Sequence, residues 1–183
     1  LISFLKPLVE MINSIQKVKV LFLDGNKKYN FSSVDGIKYY DSNFAGLVKF
    51  LKSNLDKYDK NTDNRIVIFI SGYENIKKHL TEYYSKNVSD DNITLEDLIF
   101  QSFDSNLYRF VLCGTYSSTS VFENEKWYEY LSKKYGIVIG NSFDDQEIIV
   151  AKSLEGEYRL NLDDTNAIVV RNSNKEIITY VSD

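Results

Sequence analysis

Three stretches of this chain are apolar at almost every position rather than at every second one: "VKVLFLDG" (18–25), "RIVIFISG" (65–72) and "YRFVLCG" (108–114). A strand with one wet face alternates, whereas a strand covered on both faces does not. Near-continuous runs of Val, Ile, Leu and Phe, each ended by Gly, are the pattern of a parallel sheet sandwiched between helices. Helical spacing fills much of the chain between them. Phe4, Leu5, Leu8, Val9, Ile12 and Ile15 predict an opening amphipathic helix, with Pro7 in its first turn. "IKYY" (37–40) reads as a short extended segment. "DSNFAGLVKFLKSNLDKY" (41–58) predicts a helix capped by Asp41 or Ser42, with Phe44, Leu47, Val48, Leu51 and Leu55 on one face.

"YENIKKHLTEYYSKN" (73–87) predicts a helix with Ile76 and Leu80 inward, and a further helical piece runs from Thr94 to Phe103. "EKWYEYLSKKYG" (125–136) predicts another, closed by Gly136 as a C-cap. "GIVIG" (136–140) follows as a short strand. The tail then alternates: "EYRLNL", "NAIVVRN" and "EIITYVS", separated by "DDTN" and "NSNK", are hairpin-like antiparallel material. The expected class is α/β, a mainly parallel central sheet flanked by helices with antiparallel strands added at the C-terminal end. No repeat, Pro-rich linker or low-complexity run divides the 183 residues, so one domain is expected. A chain of that length buries roughly 70% of its unfolded surface.

Composition removes several classes of function. Net charge is −4 and the pI is about 5.2, which argues against broad nucleic-acid binding through a basic face. One cysteine excludes an internal disulfide framework, and Cys113, inside "YRFVLCGT", reads as a buried thiol. The single His79 falls on a helix surface and leaves no zinc constellation. No apolar run approaches the ~18–20 residues of a membrane helix. "LISFLKPLVEMI" has neither the charged leader nor the cleavage site of a signal peptide. A chain opening on Leu1 rather than Met is expected of a fragment or a processed protein.

"RIVIFISGYENI" (65–76) raises the chemical question. A phosphate-hydrolysing motor wraps the phosphates in a Gly-rich loop ending Lys-Ser/Thr and holds magnesium with an Asp at a strand end. No G-x-x-x-x-G-K-[ST] occurs among the eight glycines, and Ser71 stands at the strand end. A serine hydroxyl can hold a metal-bound water but brings no charge to offset a divalent cation. Glu74 reads as a general base or as an acidic first-turn residue. Asp24 reads as a crevice carboxylate or as part of the turn "LDGN". Asp144, Asp145 and Glu147 read as a metal cluster or a solvated loop, and Asp163-Asp164 as a hairpin turn. Thr115, Ser117, Ser118, Thr119 and Ser120 form a polar cluster with no nearby His to activate a hydroxyl. No catalytic residue can be named. "WYEY" (127–130), with Tyr116 and Tyr135, offers Tyr116, Trp127 and Tyr128 as a partner-binding surface. The equal alternative is that Trp127 and Tyr130 or Leu131 anchor a helix.

Taken in order, "FLKPLVEMI", "VKVLFLDG", "NFAGLVKFLKSNL", "RIVIFISGYENI", "YRFVLCGTYSS", "YGIVIGNSFDDQEII" and "NAIVVRNSNKEIITYV" resemble the FtsK/SpoIIIE-type ATPase modules of the EssC/EccC proteins of type VII secretion. The likeness covers nearly the whole chain. It implies a RecA-like P-loop NTPase fold and, because the motifs are eroded, the C-terminal degenerate module of such a protein. Leu1 and Ile2 fall where the family's Lys and Ser/Thr stand, Ser71 replaces the magnesium Asp, and "GTYSS" lacks the family's Gln-Arg pair. The vestigial nucleotide positions are then Leu1, Ile2, Asp24, Ser71, Gly72, Glu74 and Thr115. ATP and magnesium are expected to bind weakly or not at all. The resemblance also implies a cytoplasmic domain of a membrane-anchored protein of a bacterial cell. Such a domain recognises a C-terminal signal on small helical-hairpin secreted substrates, or controls adjacent ATPase domains. The alternative is an ATP-binding or hydrolysing motor with a truncated phosphate loop. A nucleic-acid-handling module is disfavoured by the acidic pI.

Overall fold

The computed structural model describes residues 2–55, 64–89, 92–104, 107–114, 125–131, 135–139, 166–171 and 174–179. In chain order these form α1 (Ile2–Asn13), β1 (Val18–Asp24), β2 (Ile37–Tyr40), α2 (Phe44–Leu55), β3 (Arg65–Ser71), α3 (Tyr73–Lys86), α4 (Leu95–Asp104), β4 (Tyr108–Cys113), α5 (Lys126–Leu131), β5 (Tyr135–Ile139), β6 (Asn166–Arg171) and β7 (Asn174–Thr179). The chain divides into two units. One is Phe4–Gly114 with Ile2, and the other is Thr115–Asp183 with Leu1 and Ser3.

The first unit is α/β. Its four strands are all parallel, in the order β2-β1-β3-β4. Val20 to Asp24 of β1 are buried without a break, and so are Ile68 to Ser71 of β3. Both faces are therefore covered, as the continuous apolar runs predict. On one face Leu5 and Val9 of α1 pack with Val20, Phe22, Phe69 and Cys113, and with Phe31 and Ile37. On the other, α2 packs against α3 and α4, and α4 against β4. There the buried Tyr108 hydroxyl donates to the Leu51 carbonyl at 2.8 Å. Burial of Phe22, Phe69, Leu51, Leu98 and Ile99, each wholly enclosed, contributes about 1.5–3 kcal/mol per side chain.

Helix starts and stops follow local chemistry, with three departures from expectation. Pro7 lies in the second turn of α1, which begins at Ile2. It faces solvent while Leu5 and Val9 hold the helix from the inner side. Neither Asp41 nor Ser42 caps α2. Asn43, in the left-handed region at φ 54, precedes the helix, and its carbonyl accepts the Leu47 N–H; Asn tolerates that conformation. Gly136 does not close a helix, because α5 ends at Leu131 and Gly136 pairs with Val170 inside β5. At α4 the Thr94 hydroxyl meets Asp97 at 2.6 Å and accepts the Asp97 N–H, while Asp97 accepts the Thr94 N–H. This is a reciprocal capping box.

In the second unit β5, β6 and β7 form an antiparallel three-stranded sheet in that order. The expected tail hairpin is present as β6 and β7. "GIVIG" joins this sheet, not the parallel one. "EYRLNL" lies outside the described residues. No helix among the described residues is long and apolar enough to cross a membrane.

Candidate functional site

The strands of the first unit end in register. Asp24 pairs with Ser71, and Ser71 with Cys113. Side chains alternate along a strand, so Val20, Phe22 and Asp24 share a face with Val67, Phe69 and Ser71 and with Val111 and Cys113. Three apolar columns thus finish in one polar row at the carboxyl edge of a parallel sheet, the edge where ligands of such sheets bind.

That row is covered by the chain itself. After Asp24 the segment Gly25–Gly36 turns back over the α1 face. Tyr29 and Phe31 meet Phe22 at ring-centroid distances of 5.2 and 4.5 Å. Asp24 is fully enclosed. Its Oδ1 accepts the Asn26 N–H at 3.2 Å, and its Oδ2 accepts the Tyr29 N–H at 2.6 Å and the Tyr39 hydroxyl at 2.9 Å. The Tyr39 hydroxyl also faces the Tyr29 carbonyl, so its single proton is shared between two acceptors. Burial pushes the Tyr39 phenol well above the ordinary tyrosine range, and the hydrogen bond to Asp24 and the charges of Asp24 and Asp41 push the same way.

Ser71 is 4% exposed. Its side chain bonds to the Tyr29 phenol. Burial and the neighbouring Cys113 and Asp24 push that phenol up, and the Ser71 bond works against them. Burial also pushes the Cys113 thiol up to about 12, against a backbone hydrogen bond with Ile70. At that value the group is a thiol near neutrality and no nucleophile.

The start of α3 is occupied as well. Gly72 is the left-handed N-cap at φ 69, and a Cβ there would stand 2.6 Å from the Asn26 side chain. Gly25 lies so close that its own Cβ would meet the Gly72 carbonyl oxygen at 2.4 Å. The Gly25 N–H donates to the Ser71 carbonyl at 2.8 Å, and the Asn75 amide donates to Asn26 Oδ1 at 2.9 Å. Helix N-termini attract anions, but this one has Asn26 packed against its cap. Glu74 stands exposed in the first turn.

Asp24, Ser71 and Gly72 are therefore brought together, with Glu74 one turn away. Leu1, Thr115 and Tyr116 lie outside the described residues, as do Ser117–Ser120, Asp144, Asp145, Glu147, Asp163 and Asp164. Ile2 opens α1. Trp127 is 1% exposed. Tyr128 is half-buried, edge-on to Trp127 at 6.3 Å. His79 is exposed and stands edge-on to Phe44 at 5.6 Å. Sequence reasoning missed Asn26, Tyr29 and Tyr39. The available signal was that three apolar runs end in Asp, Ser and Cys at equivalent positions.

A magnesium nucleotide fits these residues poorly. Ser71 offers the metal no charge, and both Asp24 oxygens already accept internal donors. Among the described residues no group of three or more His, Cys, Asp or Glu is placed to hold a metal ion. No protein-family model matches this chain, and neither does any curated protein or solved structure.

Proposed function

We propose that this chain is a catalytically silent RecA-like module of a type VII secretion ATPase of the EssC/EccC kind, a soluble part of a membrane-anchored parent. It recognises secreted substrates through a C-terminal signal, or biases the conformational balance of adjacent motor modules, without turning over ATP. The segment order supports the kinship: the strand in the magnesium position, β3, lies between the Asp-ended strand β1 and the sensor-position strand β4. One observation carries the silence. The row Asp24–Ser71–Cys113 at the strand ends is filled from within, by Tyr29, Tyr39 and Asn26. With the nucleotide corner used for packing, what the module offers a partner is surface, and recognition works by differential affinity for two states. Nucleic acid is not among the proposed partners, given the net charge of −4.

Calorimetric titration decides the matter. Magnesium ATP should give no binding heat with this chain, and C-terminal peptides of helical-hairpin secretion substrates should bind. Micromolar ATP binding with measurable hydrolysis overturns the silent reading. Failure of every such peptide, with this chain and with the parent protein, removes the recognition role.

A further inference from the structure

Gly25–Gly36 forms neither helix nor strand, yet it covers the α1 face of the sheet at the strand ends. Its hold on the sheet is partly aromatic. Phe31 is 2% exposed against Phe22, and Tyr29 stacks on Phe31 at 6.1 Å. The start of the segment is pinned to β3 and α3: the Gly25 N–H donates to the Ser71 carbonyl at 2.8 Å, and the Asn75 amide donates to the Gly25 carbonyl at 3.3 Å and to Asn26 Oδ1 at 2.9 Å. Beyond Asn26 the polar hold runs through few groups. At one end Asp24 takes the Asn26 and Tyr29 N–H groups, and Tyr39 bridges Asp24 to the Tyr29 carbonyl. At the other end the Asn13 amide donates to the Asp35 carbonyl at 2.8 Å. Between these, Lys27, Lys28, Asn30, Ser32 and Ser33 are exposed. The chain turns through left-handed residues near both ends, Lys27 at φ 54 and Gly36 at φ 82. A segment without ladder hydrogen bonds, held by a few side chains, opens at a lower free energy than the strands beneath it. Beneath it lie Ser71 and Cys113, the latter in the same apolar cluster as Phe31.

We propose that Gly25–Gly36 is a strap latched over the carboxyl edge of the parallel sheet. Asp24 is the latch, acting through the Tyr29 N–H and the Tyr39 hydroxyl. Opening of the strap, with the sheet still folded, is the event that uncovers Ser71 and Cys113. This gate goes beyond the function proposed above and stands whether or not a nucleotide binds.

Cys113 is the only cysteine in the chain, so it reports the opening without an added probe. The full chain is mixed with an aromatic disulfide reagent. The Cys113 thiolate attacks a reagent sulfur, a mixed disulfide forms, and the released aromatic thiolate is followed by its colour. Tyr39→Phe deletes one hydroxyl and keeps the ring, and Asp24→Asn weakens the latch itself. Losing a hydrogen bond to a charged group should speed labelling about ten- to a hundredfold. Leu98→Ala, in the wholly buried side of α4, serves as the control: it lowers resistance to urea and should leave the labelling rate unchanged. Wild-type labelling rates in Tyr39→Phe overturn the latch, even if Asp24→Asn fails to fold. Acceleration by Leu98→Ala equal to that of the strap variants overturns local opening, because Cys113 would then be reached through global unfolding.

Discussion

Replacing Ser71 by Asp returns the carboxylate that a magnesium-binding strand carries, and the register determines what that does. Ser71 is 4% exposed and directly opposite Asp24, which is fully buried, on the same face of the neighbouring strand. Neighbouring strands lie ~4.8 Å apart. Two unit charges about 5 Å apart at an effective dielectric of about 20 repel by about 3 kcal/mol. Desolvation of the new group and loss of the Ser71–Tyr29 bond add to this. The introduced carboxyl responds by keeping its proton, so its folded-state pKa rises above the unfolded value of about 3.9. The sign follows. Below about pH 4 the group is protonated in both states, and the variant differs little from wild type by this mechanism. As pH rises the unfolded chain ionises first, so the deficit grows until the folded-state value is passed. Urea unfolding of Ser71→Asp against wild type should therefore show a stability deficit larger by about 3 kcal/mol at pH 7 than at pH 4. Magnesium ATP should add no stability. Equal deficits at the two pH values, or a rise in stability with magnesium ATP, would refute the reasoning.

Three further outcomes are expected. Thr94→Ala removes the capping box of α4 and should cost about 0.5–2 kcal/mol in urea unfolding. Gly72→Ala places a Cβ against Asn26 in a left-handed residue. It should cost about 1–2 kcal/mol from conformation alone and more from the clash, as measured by thermal melting. Burial raises the phenols of Tyr29, Tyr39, Tyr84 and Tyr108, the last to about 12. A raised phenol stabilises the fold fully below its unfolded pKa of about 10, and that contribution is lost as pH rises through the folded value. The Cys113 thiol, also raised by burial, begins this loss from its lower unfolded value of about 8.5. Stability should therefore start to fall near about pH 9 and fall more steeply above about pH 10, and Tyr108→Phe should make the fall above about pH 10 shallower in alkaline urea melts.

Much of the fold was legible because burial on two faces leaves a mark that local sequence carries. "VLFL" and "VIFI", rich in β-branched and aromatic residues and each followed by a turn, fit a strand covered on both faces, and Ile76 and Leu80 mark one helix face without help from tertiary context. Errors came where neighbours decide. Gly136 looks like a helix end in isolation, but its place in β5 depends on Val170, far along the chain. Trp127 is equally suited to a surface or an interior until its surroundings are known. The site was legible only in pieces. Local sequence marks Asp24 and Ser71 each as a strand end, and only the family resemblance groups them, without saying that they are paired. Their pairing is a property of register, and register between parallel strands is set by the packing of both faces rather than by a turn.

The same dependence makes Asp24 more than the crevice carboxylate or the turn residue that its local sequence suggests. A buried carboxylate is tolerable only when donors surround it. Here the donors come from the segment that follows it and from Tyr39 in the next strand. The relation runs the other way too. Without the carboxylate, the Tyr29 N–H would lose its partner, and the Tyr39 hydroxyl would keep only the Tyr29 carbonyl. A buried donor left without an acceptor costs about 1–3 kcal/mol. The segment and the carboxylate therefore require each other, and Ser71 completes the arrangement by bonding to the phenol of the same Tyr29. A strand end that organises its own cover in this way has a reason to keep Asp24, and to keep Ser71 uncharged, that needs no nucleotide.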